Sequence, residues 1–310
     1  MISTWLTDRF GIDVPVASAP MANVSTGRLA AAVSHAGALG FVAFGRATAD
    51  DVARESAVAA ATGRPFGIGF IAWRLAGQPD LVDAAIAARP AVISLSFGDY
   101  ASYVERIKAA GIAVVTQAGS VDDARAAVDA GVDIVVARGG EGGGHGRDLV
   151  ATQPLLQAVL DEVDVPVLAA GGIATPRGVA AVIAAGAAGA WVGTAFLGCT
   201  EAGNTPAARA AVLAAELDGT VYTTAFDVGQ GVPWPAEFGG RAIRNEFADT
   251  WLGREAELAS AGVRLDTPPA WAGQAAGLVR TERPAAEIVA DLAGAEQLLI
   301  AAADRCRGNG

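Results

Sequence analysis

The residues best equipped for chemistry lie in one short segment, Arg138-Gly-Gly-Glu-Gly-Gly-Gly-His145-Gly-Arg147-Asp148. It carries one of only two histidines in 310 residues, set among glycines. An imidazole can accept a proton or donate a hydrogen bond near neutral pH. Glycine lets the backbone approach a ligand closely, because it has no Cβ. The apolar run Val132-Asp-Ile-Val-Val-Ala137 precedes the segment, so a strand delivers the histidine to its loop. This pattern reads as the floor of a ligand site. A flexible linker would be richer in serine and other polar residues.

Two further turns have binding chemistry. Ala169-Ala-Gly171-Gly172-Ile173 and Val192-Gly193-Thr194 each close an apolar run. Backbone N–H groups in such turns, together with a threonine hydroxyl, suit a phosphate. Ala19-Pro20-Met21-Ala22-Asn23 ends the first apolar run, where a backbone N–H and C=O can hold a flat heterocycle.

Strands must present these loops, and helices must space them. Eight strand candidates cover 15–19, 39–43, 66–71, 92–95, 113–116, 134–137, 166–169 and 189–192. Helix candidates at 27–34, 49–60, 79–88, 102–110, 121–130, 153–160, 176–185 and 206–217 alternate with them. Thr48, Ser120 and Thr175-Pro176 mark helix starts, and Gly111, Gly131 and Gly186 mark stops. Strands apolar on both faces belong to a parallel sheet covered by helices. Eight βα units in succession predict an α/β fold of the (β/α)8 TIM-barrel type, whose late loops bind phosphate. The barrel is expected over 1–217. From 218 to 310 the pattern changes to a helical and loop extension, with helices at 245–260 and 285–303, that packs on the barrel and covers its mouth.

Composition narrows the partners. With 52% hydrophobic and 18% charged residues, the chain can bury a large core. A net charge of −11 argues against nucleic acid and anionic membrane surfaces. The uncharged stretch 178–199 is broken by Gly186 and Gly189 and reads as a buried helix–strand pair. Cys199 and Cys306 have no metal or disulfide spacing, and the N-terminus has no signal-peptide pattern, so a cytoplasmic protein is expected.

Taken together, the motifs resemble the nitronate monooxygenase family, formerly 2-nitropropane dioxygenases. Ala19-Pro20-Met21 resembles its first-strand motif, and Gly139-Gly-Glu-Gly-Gly-Gly-His145-Gly its histidine loop. Ala169-Ala-Gly-Gly-Ile173 and Val192-Gly-Thr194-Ala-Phe-Leu resemble its phosphate motifs. Trp271-Ala-Gly-Gln274-Ala-Ala-Gly-Leu and Arg283-Pro-Ala-Ala-Glu-Ile288 resemble its C-terminal segment. The resemblance implies an FMN-dependent enzyme that oxidises alkyl nitronates, or nitroalkanes, with O2 to a carbonyl compound and nitrite. The alternative is a flavin-dependent enoyl-ACP reductase or related NAD(P)H-dependent oxidoreductase, a sister family with a similar histidine loop. The oligomeric state stays open, with a homodimer as one expectation.

The resemblance also implies roles. His145 is the active-site histidine. Gly172, Gly193 and Thr194 hold the FMN phosphate, with Gly171, Trp191 and Val192 alongside. Pro20 and Met21 contact the isoalloxazine through the backbone, Gly143 and Gly144 line the flavin side of the histidine loop, and Gln117 reaches the ring. The chain departs from the family at Arg138, where glutamine is usual, at Gly69, where asparagine is usual, and at Trp191-Val192, where Gln-Met is usual. A guanidinium at 138 could place positive charge beside the ring, or pair with a surface acid such as Glu141. His35, Cys199 and Glu201 read as structural, and no residue cluster has metal-ligand spacing.

Overall fold

The computed structural model describes residues 2–308. Eight parallel strands close into a barrel: β1 (Val16–Ser18), β2 (Gly40–Phe44), β3 (Phe66–Ile71), β4 (Val92–Ser96), β5 (Ala113–Ala118), β6 (Ile134–Arg138), β8 (Val167–Ala170) and β9 (Gly189–Val192). Neighbours run in chain order from β2 to β9, and β9 pairs with β1. The ring closes between β1 and β2, where the Ser18 N–H donates to Leu39 O and the Leu39 N–H to Val16 O, both at 2.9 Å. All eight strand candidates are present, as a (β/α)8 barrel.

Local chemistry sets the helices between the strands. Thr26, Thr48, Ser120, Thr175 and Thr205 cap their helices through the side-chain oxygen. Gly111, Gly131 and Gly186, with φ of 78°, 84° and 105°, end the helices before the next strand turns in.

Strand alternation divides the core in two. One set of side chains faces the helices. The other fills the barrel, with Ala17, Phe41, Val115, Val136, Leu168 and Trp191 packed together. Phe41 and Trp191 meet edge to face at 4.7 Å. The first helix, Trp5–Phe10, plugs the end of the barrel where the strands begin, with Leu6 against Gly189.

The last third departs from the expected helices and loops. Thr220–Thr223 (β10) and Gly240–Ile243 (β11) form an antiparallel sheet with Gly144–His145 (β7). The expected helix 245–260 is two helices, Glu246–Trp251 and Glu255–Ala261, separated at Gly253 (φ 76°). The expected helix 285–303 is also two, Ala285–Ala293 and Ala295–Cys306, joined at Gly294; they pack on the barrel helices Gly27–His35 and Pro176–Ala184. Among the described residues, no helix is long and apolar enough to cross a membrane.

The barrel interior should govern stability. Truncating a buried aromatic side chain to alanine costs about 3–5 kcal/mol. Trp191→Ala and Phe41→Ala should each show a loss of that size in urea unfolding. The double variant should lose less than the sum, because the two rings touch.

Candidate active site

The histidine loop is organised around a buried cation. Arg138 ends β6 and is 3% exposed. Its Nη2 lies 2.6, 3.2 and 3.1 Å from the carbonyl oxygens of Gly142, Gly143 and Gly144, and its Nη1 lies 3.1 Å from Arg147 O. A guanidinium carries five donors in a planar fork, which suits several carbonyls at once. The loop can wrap this closely only with glycine: a Cβ at Gly142 would stand 2.7 Å from Arg138 Nε, and one at Gly146 2.5 Å from Nη1. Burial, and secondarily the charge of Arg241, pushes the Arg138 guanidinium down to about 10, so it stays cationic at neutral pH. The pairing of Arg138 with Glu141 is thereby corrected. Its donors are directed at the loop, and Glu141 is otherwise engaged, its carboxylate accepting from the Thr152 N–H at 2.7 Å and from the Thr152 hydroxyl.

A second arginine holds the loop from the other side. Arg241, on β11, donates from Nε to Gly140 O at 2.7 Å and pairs through Nη2 with Asp148 at 2.9 Å. β11 also pairs with β7, setting Gly240 opposite His145.

His145 therefore sits on a strand edge, with its ring in an aromatic slot. Trp234 stacks on it at 3.6 Å and 7°, and Trp271 lies at 4.6 Å and 50°. Nε2 is 2.9 Å from Asp227 Oδ1. The side chain is 10% exposed. Trp234 also meets Trp73 at 5.5 Å and Phe97 at 5.4 Å, so the aromatic cluster extends over the barrel mouth. Asp227, Trp234 and Trp271 all come from the C-terminal third. Of these three, Trp271 lies in a segment quoted for the resemblance. The available sequence hint for Asp227 is a carboxylate in the apolar run Ala225-Phe-Asp-Val.

The two late turns form a cradle that fits a phosphate. Gly171 and Gly172 have φ of 113° and 71°. A Cβ at Gly172 would find only Glu141 Cβ, at 3.8 Å, and one at Gly193 would touch Ala19 and Met21 at 3.5 and 3.6 Å. Among the described residues, the N–H groups of Gly172 and Gly193 have no acceptor. Thr194 Oγ1 accepts the Gly273 N–H at 2.9 Å, which leaves its own hydrogen free to donate. Open space, free backbone donors and a hydroxyl are the elements of an anion site.

Other expected contacts are changed. The Met21 N–H donates to Ser25 Oγ at 3.0 Å, and its carbonyl accepts from Val24 and Ser25. The turn thus consumes the Met21 backbone groups but not the Pro20 carbonyl, and the Met21 thioether is the part that borders Gly193. Trp191 and Val192 do not present side chains to the cradle. Alternation sends Trp191 into the barrel and Val192 out beneath the helices, where it is fully buried. Gly143 packs against Ala272 and Gly273, so its neighbour is the C-terminal segment. Gly144 has open space where a Cβ would point. At Gly69 a Cβ would lie 2.3 Å from Pro20 Cβ, so Pro20 fills the space that a larger residue would need.

Gln117 borders two cavities. One lies over the barrel mouth beside Pro20, Gly69 and Ser96. The other, about 400 Å³, lies among Tyr100, Arg138, Gly146, Arg147 and Phe238. Away from the site, His35 is exposed at the end of its helix, and Glu201 orders its loop by accepting the Ala285 N–H. No metal-binding group of three or more His, Cys, Asp or Glu occurs among the described residues.

The profile of the family described as Nitronate monooxygenase matches residues 3–87 and 71–294. An octahydroindene-carboxyl-CoA dehydrogenase of Mycobacterium tuberculosis is 38% identical, over 80% of this chain and 68% of its own. A nitronate monooxygenase of Paraburkholderia phytofirmans is 33% identical, over 91% and 92%. The structure of FabK from Thermotoga maritima superposes with a TM-score of 0.85 at 29% identity, covering 99% of both chains.

Two outcomes follow. Arg138→Gln should strand loop carbonyls, at about 1–3 kcal/mol for each left unsatisfied. It should lower the unfolding midpoint and open 139–148 to limited proteolysis. Arg138→Lys should restore little, since an ammonium lacks the fork. For the thiols, burial, followed by the Glu201 charge, pushes Cys199 up to about 12, whereas Cys306 is exposed. A thiol reagent at pH 8 should modify one cysteine per native chain and two after denaturation.

Proposed function

The chain belongs to the nitronate monooxygenase family, whose members are flavin-dependent oxidoreductases, and on that premise we propose that it oxidises alkyl nitronates with O2, using FMN. The observation that carries this reading is the placing of His145: an imidazole held in an aromatic slot, on a loop adjoining a phosphate cradle and the barrel mouth. Gly172, Gly193 and Thr194 would hold the FMN phosphate, with Gly171 shaping the turn. Pro20 and Gln117 would border the ring. When bound, the flavin supplies an electron acceptor for the substrate and a donor to O2.

The protein's residues do the rest. The aromatic rings exclude water from the face of His145. His145 donates a hydrogen bond that orients an anionic nitronate, or accepts the α-proton when the substrate is a neutral nitroalkane. Arg138 fixes the loop that carries it.

The protein should purify yellow and release FMN on heating. Gly193→Val should lose the flavin yet stay folded, because a Cβ there meets only ordinary contacts. His145→Ala should keep the flavin and lose about 10²–10⁴-fold in turnover if the histidine acts as a base. Anaerobic stopped-flow mixing decides the reaction. Reduction of the flavin by a nitronate supports the proposal. Reduction by NADH, with a nitronate inert, would replace it with the reductase alternative. Absence of flavin from the native protein would end both.

A further inference from the structure

Asp227 lies in the first turn of the helix Ala225–Gln230 and is 4% exposed. Its Oδ1 faces His145 Nε2 at 2.9 Å, and its Oδ2 is buried without a partner. A carboxylate is costly to bury unless a donor or a charge offsets the lost water. The charged groups near the histidine loop are committed elsewhere: Arg138 to loop carbonyls, Arg147 to Asp123, and Arg241 to Asp148. The Tyr222 hydroxyl donates to Gly146 O. Among the described residues, the imidazole of His145 is the partner of the Asp227 side chain.

The ring has few ways left to act. Trp234 covers one face, and Trp271 is tilted against the ring. An ionised carboxylate only accepts, so Nε2 carries the hydrogen between them. In a neutral imidazole the other nitrogen is then an unprotonated acceptor. Nδ1 has no partner among the described residues.

We propose that Asp227 is the positioning residue of this site: it fixes the Nε2–H tautomer of His145 and so makes Nδ1 the nitrogen that meets the substrate. The tautomer follows from the His145–Asp227 contact and an ionised carboxylate that can only accept, whereas the substrate rests on the nitronate reading. With a neutral nitroalkane the α-C–H bond breaks and its proton passes to Nδ1. The electron pair stays with the substrate as the nitronate, and Asp227 balances the imidazolium. With a preformed nitronate no proton moves, so Asp227 should matter less.

The presence of only two histidines makes a direct test possible. Long-range ¹H–¹⁵N correlation on labelled flavoprotein reads the tautomer of each, and His145→Ala assigns the signals. Wild-type His145 should be the Nε2–H tautomer. Asp227→Asn should disturb that tautomer and lower kcat with a nitroalkane by roughly 10²–10⁴-fold, the range seen when an orienting carboxylate is neutralised or a general base is lost. The loss with the corresponding nitronate should be much smaller. Asp227→Glu should regain the tautomer at least in part. An Nδ1–H tautomer in the wild type overturns the proposal without any variant. So does an Asp227→Asn protein with unchanged tautomer, or with equal losses on both substrates. If wild type oxidises neither substrate, the nitronate reading falls, and the spectrum still decides the role of Asp227.

Discussion

A buried guanidinium amid a loop of carbonyls is the constraint on which the candidate site depends. A glycine-rich segment has many backbone dipoles and few side chains with which to order itself. Left free, 139–146 would have every reason to sample many shapes. Arg138 resolves this by gathering the carbonyls of Gly142, Gly143, Gly144 and Arg147 onto one rigid fork. Burial disfavours its charged form and pushes its proton affinity down. Several charge-assisted hydrogen bonds offset that penalty. The glycines then have a second purpose, since Gly142 and Gly146 lie too close to the guanidinium for any side chain.

With the loop ordered, the C-terminal third can build on it. β11 pairs with the loop's short strand, and its Arg241 clamps Gly140. The segment around Gly273 packs on Gly143 and donates to Thr194, joining the histidine loop to the phosphate cradle. The helix Ala225–Gln230 brings the carboxylate, and the run around Trp234 brings the aromatic cover. Loss of loop order should therefore be felt at the cradle and at the histidine together. The departure from the family at 138 reads as a change in how the loop is held.

The remaining departures also have steric causes. Pro20 occupies the space beside Gly69, and Trp191 belongs to the barrel interior with Phe41. Neither substitution removes a free backbone donor from the Gly172 and Gly193 cradle.

The sequence by itself determined the barrel, its eight strands and most of its helix ends, because these follow from local rules: apolar periodicity, capping hydroxyls and glycine stops. It also marked the histidine loop and the two late glycine turns, since an isolated histidine among glycines and paired Gly-Gly and Gly-Thr turns are visible in one dimension. Only the tertiary structure decided what those residues face. The direction of Arg138, the use of the Met21 backbone by its own turn, and the inward side chain of Trp191 depend on packing. Asp227 reaches His145 across 82 positions of sequence. The small sheet escaped notice because one of its strands is two residues long, and it exists only as a partner to β11. Long-range pairing of this kind leaves no local periodicity, because the stabilising partner is distant in the chain and the segment alone has no preference for its final form.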